Sequence, residues 1–286
     1  MIYLITDYGL EDYFVSALKN VILNSCNLLK IPFPTIIDIS HNLPNHNVVA
    51  AIINIKALLD LMPDRSIILA IVDPEVGSNI EGCVSLHVYH QKYIYLVGRN
   101  NGILGALYPH KHVYTYKISS RKIENNIKNK GIFYQAGIRG ISNTFHGRDI
   151  FAPIASILLH DIKTNSNLLR EFIGQKVKPL YYKIPKPLVK NKTIIGKIIY
   201  FDHFGNAITN ISSNLLNKKI KQINLKLKDQ VLFSIPNISK NYLEGKNQQI
   251  IAIANSFGYL EFSKYKSSVR ELLGDFENIM VEVLMG

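Results

Sequence analysis

Two cysteines in 286 residues, Cys26 and Cys83, are too few and too far apart for a disulfide scaffold. With no C-x-x-C spacing, a structural zinc site has no ligand set either, and a reducing compartment fits. Long apolar runs are also missing: stretches such as Ile67–Val72 fall far short of the ~20 residues needed to cross a bilayer. Met1 leads directly into Ile2-Tyr3-Leu4-Ile5-Thr6 without a basic or long apolar leader, so no signal peptide is expected. The expectation is a soluble, cytoplasmic protein. Acidic residues are outnumbered, giving a net charge of +12, which first points to an anionic partner such as nucleic acid or a membrane surface. The basic stretches Lys117–Lys130 and Lys218–Lys228 carry no nucleic-acid motif and no interleaved stacking aromatics. The charge therefore reads as solvated surface, and neither nucleic acid nor membrane is expected as a partner. Absent too are G-x-S-x-G, G-x-G-x-x-G, P-loop and H-E-x-x-H motifs, so those chemistries have no support.

What is present is material for a core: 47% of residues are hydrophobic and 19% charged, which excludes a disordered or collagen-like chain. At roughly 100–200 residues per domain, this length suits one large domain or two smaller ones. Strand and helix signals alternate early. Ile2–Thr6, Thr35–Ile39 and Ser66–Val72 read as strands, and Glu11–Asn24 and Asn47–Leu61 as helices. Such alternation predicts parallel strands joined by crossover helices. Val84–Tyr89 and Tyr93–Val97, joined by His90-Gln91-Lys92, read as a hairpin added to that sheet. Val113–Ile118 adds a strand and Ile150–His160 a helix. Past Lys176 come Pro179, Pro185 and Pro187, then many short β-type runs from Ile194 to Leu284, as in a small barrel or sandwich. The expected fold is an α/β N-terminal domain, residues 1–175, with a mostly parallel sheet flanked by helices. A smaller all-β, barrel-like C-terminal domain spans residues 176–286.

In an open α/β sheet, ligands bind beyond the carboxyl ends of the strands. Asp7 and Asp73 fall at two such ends, with Gly9 and Gly77 nearby to permit close backbone approach. Either aspartate also reads as an ordinary turn or capping residue. The densest polar–aromatic cluster is Ser142-Asn143-Thr144-Phe145-His146-Gly147-Arg148-Asp149, just before a helix. There His146 suits a general base or an electrostatic partner near neutral pH, or a structural role. Asp202-His203-Phe204-Gly205-Asn206-Ala207-Ile208-Thr209-Asn210 and Asn255-Ser256-Phe257-Gly258-Tyr259-Leu260-Glu261 each place Asn, Ser or Asp around a Phe-Gly pair. Such groups suit a heteroaromatic base with a polar tail, and equally suit two tight hairpin turns. His110-Lys111-His112 lacks a cysteine or carboxylate partner and reads as a surface loop, so no metal is expected.

Taken together, these segments resemble the adenosyl-forming S-adenosylmethionine (SAM) hydrolase family, also called SAM hydroxide adenosyltransferases. That family shares its fold with SAM-dependent fluorinating and chlorinating enzymes. The likeness runs in order along essentially the whole chain. It covers Thr6-Asp7-Tyr8-Gly9, Ile37-Asp38-Ile39-Ser40-His41, Val72-Asp73-Pro74-Glu75-Val76-Gly77-Ser78, Asn100-Asn101-Gly102, Thr144 to Pro153, and both later Phe-Gly segments. The resemblance implies hydrolysis of SAM to adenosine and L-methionine, with SAM as substrate and no metal or prosthetic group. It also implies a homotrimer with active sites at subunit interfaces, between the N-terminal domain of one subunit and the C-terminal domain of its neighbour. By resemblance, Asp73 and His146 handle the hydroxide and Asp7 holds the ribose hydroxyls. His46 packs near the ribose, and Thr144 and Phe145 form the pocket wall. Phe204, Asn206 and Tyr242 contact adenine, while Asp202 and Ser256 receive the methionine amine and carboxylate. Tyrosines stand at the places of Asp73 and His146 in the halogenating branch, and a serine at that of Gly147, so this chain sides with hydroxide.

One departure bears on turnover. The family carries an arginine seven positions after its aspartate, and here that position is Ile80; Glu75 also stands where the family has glycine, and Arg99 precedes Asn100 where it has proline. A missing guanidinium removes a fixed cation that would polarise the water. Two readings follow: a hydrolase in which Arg99 or Arg148 supplies the charge, or a SAM- or adenosine-binding protein with little turnover.

Overall fold

A computed structural model of the chain describes residues 1–73, 81–105, 113–217, 219–274 and 278–286. Glu75, Gly77, Ile80 and the group from His110 to His112 lie outside the described residues. The chain divides into two units, Met1–Lys183 and Ile184–Gly286.

In chain order the first unit contains β1 (Ile2–Thr6), α1 (Phe14–Leu28), β2 (Ile36–Ser40), α2 (Val48–Leu58), β3 (Ser66–Ile71), β4 (Gly82–Tyr89) and β5 (Lys92–Arg99). There follow β6 (Val113–Ile118), α3 (Ser120–Lys128), α4 (Ile132–Gln135), α5 (Ala152–Thr164) and β7 (Ile173–Val177). Every residue of β1 and β3 is buried, as continuous β-branched runs are when both faces of a strand are covered. Ile2, Leu4, Ile67, Leu69 and Ile71 share one core with Leu18 and Ile22 of α1 and Ile154 and Leu158 of α5. The alternate residues Tyr3, Ile5, Ile68 and Ala70 are buried as well. Asn47 starts α2 by accepting the Ala50 amide on its side-chain oxygen at 2.8 Å.

The sheet runs β2-β1-β3-β5-β4-β6-β7. It is mixed rather than mostly parallel: β2, β1, β3 and β5 are parallel to one another, while the β5–β4, β4–β6 and β6–β7 pairings are antiparallel. The cause is the hairpin. His90 and Gln91 both have positive φ, 43° and 67°, the backbone that a tight two-residue connection requires. The second arm, β5, inserts beside β3, which leaves the first arm, β4, antiparallel to it, and β6 and β7 then add one antiparallel pairing each.

That insertion positions the site. In register, Thr6 lies opposite Ile71 and Ala70 opposite Gly98, so β1, β3 and β5 end at one level. Asp7, Asp73 and Arg99 therefore emerge along a single carboxyl edge. β5 sits so close to β3 that a Cβ at Gly98 would lie 2.3 Å from the Ala70 carbonyl oxygen.

The second unit contains β8 (Leu188–Lys190), β9 (Thr193–Phe201), β10 (Ala207–Ser212), β11 (Ile220–Leu227), β12 (Gln230–Ile235), β13 (Ile238–Ser239), β14 (Ile251–Ala254), β15 (Tyr259–Ser263), α6 (Val269–Leu273) and β16 (Ile279–Met285). Its sheet follows β12-β11-β16-β9-β10-β15-β14-β13, with β8 added on β9. The two terminal strands, β12 and β13, are consecutive in the chain. Ile235 and Ile238 are three Cα steps apart, at most about 11 Å, so the sheet curls until its edges nearly meet. Ile194, Phe201, Ile223, Leu260, Phe262 and Val281 fill the interior of this nearly closed barrel.

Gly98→Ala is expected to destabilise the protein by about 3 kcal/mol in urea denaturation, because the obstructing atom is backbone and cannot rotate away. Gly140→Ala is the control: nothing lies within 4 Å of its Cβ position, and a change within about 0.5 kcal/mol is expected.

Candidate active site

At the carboxyl edge of the first unit lies a cavity of 280 Å³, lined among others by Asp7, Tyr8, His46, Asp73, Thr144 and His146. Asp7 follows β1, and its Oδ2 accepts the His46 backbone N–H at 2.8 Å while the His46 ring Nδ1 stands 3.8 Å away. His46 holds a left-handed backbone, φ 62°. His41, at the end of β2, braces the same edge: its carbonyl accepts the Gly9 amide at 2.7 Å, and its Nδ1 lies 2.8 Å from Thr6 Oγ1.

Asp73 and Arg99 form an ion pair, Nε to Oδ2 2.7 Å, with 9% and 4% of the two residues exposed. Arg99 Nη2 also lies 3.1 Å from His146 Nδ1. Burial pushes the His146 imidazole below its ordinary pKa and the Arg99 charge adds to this; Asp73, Asp149 and the Ser142 carbonyl act in the opposite direction. Arg148, the other candidate cation, is turned to its neighbour, with Nε 2.6 Å from Asp149 Oδ1. The turn after β5 is clamped to β3, since Asn101 Nδ2 donates to the Val72 carbonyl at 2.7 Å.

The loop that delivers His146 is wound on Asp149, a fully buried carboxylate. Its Oδ2 accepts the Ser142 amide at 2.8 Å, Ser142 Oγ accepts the Phe145 amide at 3.0 Å, and the Phe145 carbonyl accepts from Arg148 and Asp149. Phe145 stands behind the cavity lining, its ring edge-on to Phe14 and Tyr8 at 5.3 and 5.7 Å. A Cβ at Gly147 would fall 2.9 Å from both the Tyr8 hydroxyl and Ile71 Cδ1, so glycine lets these side chains close on the cavity. Tyr8, a lining residue not predicted from sequence, has its hydroxyl pKa raised by burial and then by Asp7 and Asp73.

The remaining predicted residues fall in the second unit and share a cavity of 630 Å³ lined by Asp202, Phe204, Asn206, Tyr242, Ser256 and Glu261, among others. Asp202 and Asn206 close the β9–β10 turn: Oδ1 accepts the Asn206 amide at 2.8 Å and Oδ2 accepts its Nδ2 at 2.9 Å. Phe204, at the tip, is 74% exposed, leaving a ring face open for stacking. Glu261 closes the Asn255-to-Glu261 segment noted in the sequence, where no role of its own was assigned to it. It is buried in β15, where Oε1 accepts from Tyr242 Oη at 3.0 Å and Ser263 Oγ at 2.7 Å, and Oε2 from Asn255 Nδ2 at 3.3 Å. Burial and this carboxylate push the Tyr242 hydroxyl up to about 12. The signal for its role was an acid set between Leu260 and Phe262 in β15.

Comparison with known proteins bears on both cavities. The family described as SAM hydroxide adenosyltransferase N-terminal domain matches residues 2–166, and its C-terminal domain matches residues 196–277. An (R)-S-adenosyl-L-methionine hydrolase of Methanocaldococcus jannaschii is 28% identical over 284 residues, covering 96% of this chain and 91% of the relative. Its namesake from Thermus thermophilus is 26% identical over 286 residues, covering 99% of each. Among solved structures, an uncharacterised conserved protein from Thermotoga maritima superposes with a TM-score of 0.77 at 26% identity, covering 99% of this chain and 100% of that one.

Asp149→Ala strands the Ser142 amide and is expected to cost about 2 kcal/mol, with faster amide exchange across residues 142–146. Arg148→Ala is expected to cost less than about 1 kcal/mol, because its guanidinium side chain is 36% exposed and its pairing is screened by water. Equal costs for the two variants would show that the loop does not hang on Asp149.

Proposed function

The chain belongs to the SAM hydroxide adenosyltransferase family, and from that premise we propose that it hydrolyses S-adenosyl-L-methionine to adenosine and L-methionine. The observation that carries this reading is the buried Asp73–Arg99 ion pair with His146 beside it, Asp73 and His146 lining the same cavity as Asp7. Asp7 binds the ribose hydroxyls, which puts the 5′-carbon before Asp73. A water oriented there attacks that carbon in line with the departing sulfur. The oxygen–carbon bond forms as the carbon–sulfur bond breaks, and the bonding pair goes to sulfur. The sulfonium thereby becomes the neutral thioether of methionine, and the water's proton passes to Asp73 and on to solvent.

The leaving group needs no protonation because it departs from a cation, so neither a metal nor a prosthetic group is required. What the site must supply is alignment and a partly desolvated nucleophile. A carboxylate at the point of attack favours water over halide, which it would repel. In the second unit, Phe204 stacks on adenine and Asn206 and Tyr242 bind its edge and surroundings. Asp202 and Ser256 receive the amine and carboxylate of the methionine portion. Residues 1–175 serve as the nucleoside-binding half and residues 176–286 complete the site from a neighbouring subunit of a homotrimer, in a cytoplasmic setting. The other reading, a SAM- or adenosine-binding protein without turnover, was raised by Ile80 in the family's arginine position. The Arg99 guanidinium beside Asp73 favours turnover instead.

Incubation with SAM in ¹⁸O-water is expected to yield adenosine labelled at the 5′-hydroxyl and unlabelled methionine. Asp73→Asn is expected to lower kcat by about 10³-fold, within the range for loss of a positioned acid or base. Measurable SAM binding with no adenosine formed would defeat the hydrolase reading.

A further inference from the structure

Arg99 occupies a place in the site that its position in the sequence does not announce. It is the last residue of β5, and its side chain is almost wholly buried. Its guanidinium meets the Asp73 carboxylate at 2.7 Å and His146 Nδ1 at 3.1 Å. A guanidinium only donates hydrogen bonds, having no acceptor atom. The ring nitrogen it meets must therefore accept. A neutral imidazole whose Nδ1 accepts carries its one proton on Nε2. An imidazolium would instead set N–H against N–H and cation against cation. His146 in this arrangement cannot take the water's proton at Nδ1, which leaves the Asp73 carboxylate as the acceptor in the group.

We propose that Arg99 is the positioning residue of this site, orienting the Asp73 carboxylate as the proton acceptor and holding His146 neutral in the Nε2–H form. The proposal rests on the hydrolase reading for the reaction it serves, but not for the tautomer. The placement is built into the backbone. β5 lies against β3 with Ala70 opposite Gly98, and Asn101 ties the following turn to the Val72 carbonyl. The cation therefore comes from the neighbouring strand end, whereas the family's arginine position holds Ile80.

A pH dependence follows. The groups acting on His146 are Arg99, which disfavours its protonation along with burial, and Asp73, Asp149 and the Ser142 carbonyl, which favour it. The working form is neutral, so activity is lost as pH falls through a His146 pKa that lies below the ordinary imidazole value.

The test uses the full chain with ¹⁵N-labelled histidine, His146 being assigned by its loss in His146→Asn. In the wild-type protein at pH 7, His146 is expected to show an unprotonated Nδ1 and a protonated Nε2. Arg99→Met is expected to raise the pH at which His146 titrates and move the acid limb of the kcat profile with it. It should also lower kcat by about 10²–10³-fold, as loss of one preorganised donor does, with KM within about threefold. Arg99→Lys restores a cation without the fork and is expected to recover part of the rate; it serves as the second variant should Arg99→Met fold poorly. A protonated Nδ1 in the wild type would overturn the proposal, and that measurement needs no variant. So would an unchanged His146 titration in Arg99→Met, whether kcat holds or falls. If the wild type forms no adenosine while the tautomer and titration shift appear as expected, the hydrolase reading fails and the positioning of His146 by Arg99 stands.

Discussion

The Asp73–Arg99 ion pair lies almost wholly out of water, and much of the first unit can be understood as the arrangement that makes this tolerable. Desolvating each ion costs several kcal/mol, and their attraction offsets this only if the two groups are held near contact. The 2.7 Å approach requires β3 and β5 to be adjacent, in register and ended at one level. A glycine at position 98 and the Asn101 clamp supply that closeness. Two well-packed apolar residues would stabilise the fold as well or better. A buried pair that also touches His146, with its Asp73 lining a cavity, is therefore better explained by chemistry than by stability.

The same logic applies to the acids of the second unit. Asp202 has both oxygens engaged by Asn206, and Glu261 is held by Tyr242, Ser263 and Asn255. Carboxylates fixed this way lose little conformational freedom when a cationic ligand arrives. SAM carries a sulfonium and an ammonium, so the +12 net charge of the chain gives it no general attraction to this protein. In the proposed reading, recognition rests on local negative groups such as Asp7 and Asp202.

Much of this was legible in the sequence for definite reasons. β1 and β3 read clearly because strands covered on both faces are continuous apolar runs, and the aspartates that follow them mark carboxyl ends where α/β sheets bind ligands. The His90–Gln91 hairpin was legible too, but not the place where it enters the sheet. Local periodicity carries no information about which arm of a hairpin pairs with β3, and so a mostly parallel sheet was expected where a mixed one exists. Glu261 stood in a segment noted in the sequence, but its partner Tyr242 meets it only in the folded barrel.

The identity of the missing cation divides the two sources of information most sharply. From sequence alone came the family, the two-part architecture, Asp7, Asp73 and His146 as candidate site residues, and the fact that position 80 lacks an arginine. Arg99 and Arg148 were equal candidates to replace it, since both are basic residues beside motif segments. Only the tertiary structure separates them. Arg148 is held by the aspartate next to it in the chain, whereas Arg99 reaches His146 across 47 positions because β5 ends beside β3. A contact of that span depends on strand order, which is decided by how the sheet packs and not by any local property of the residues that meet.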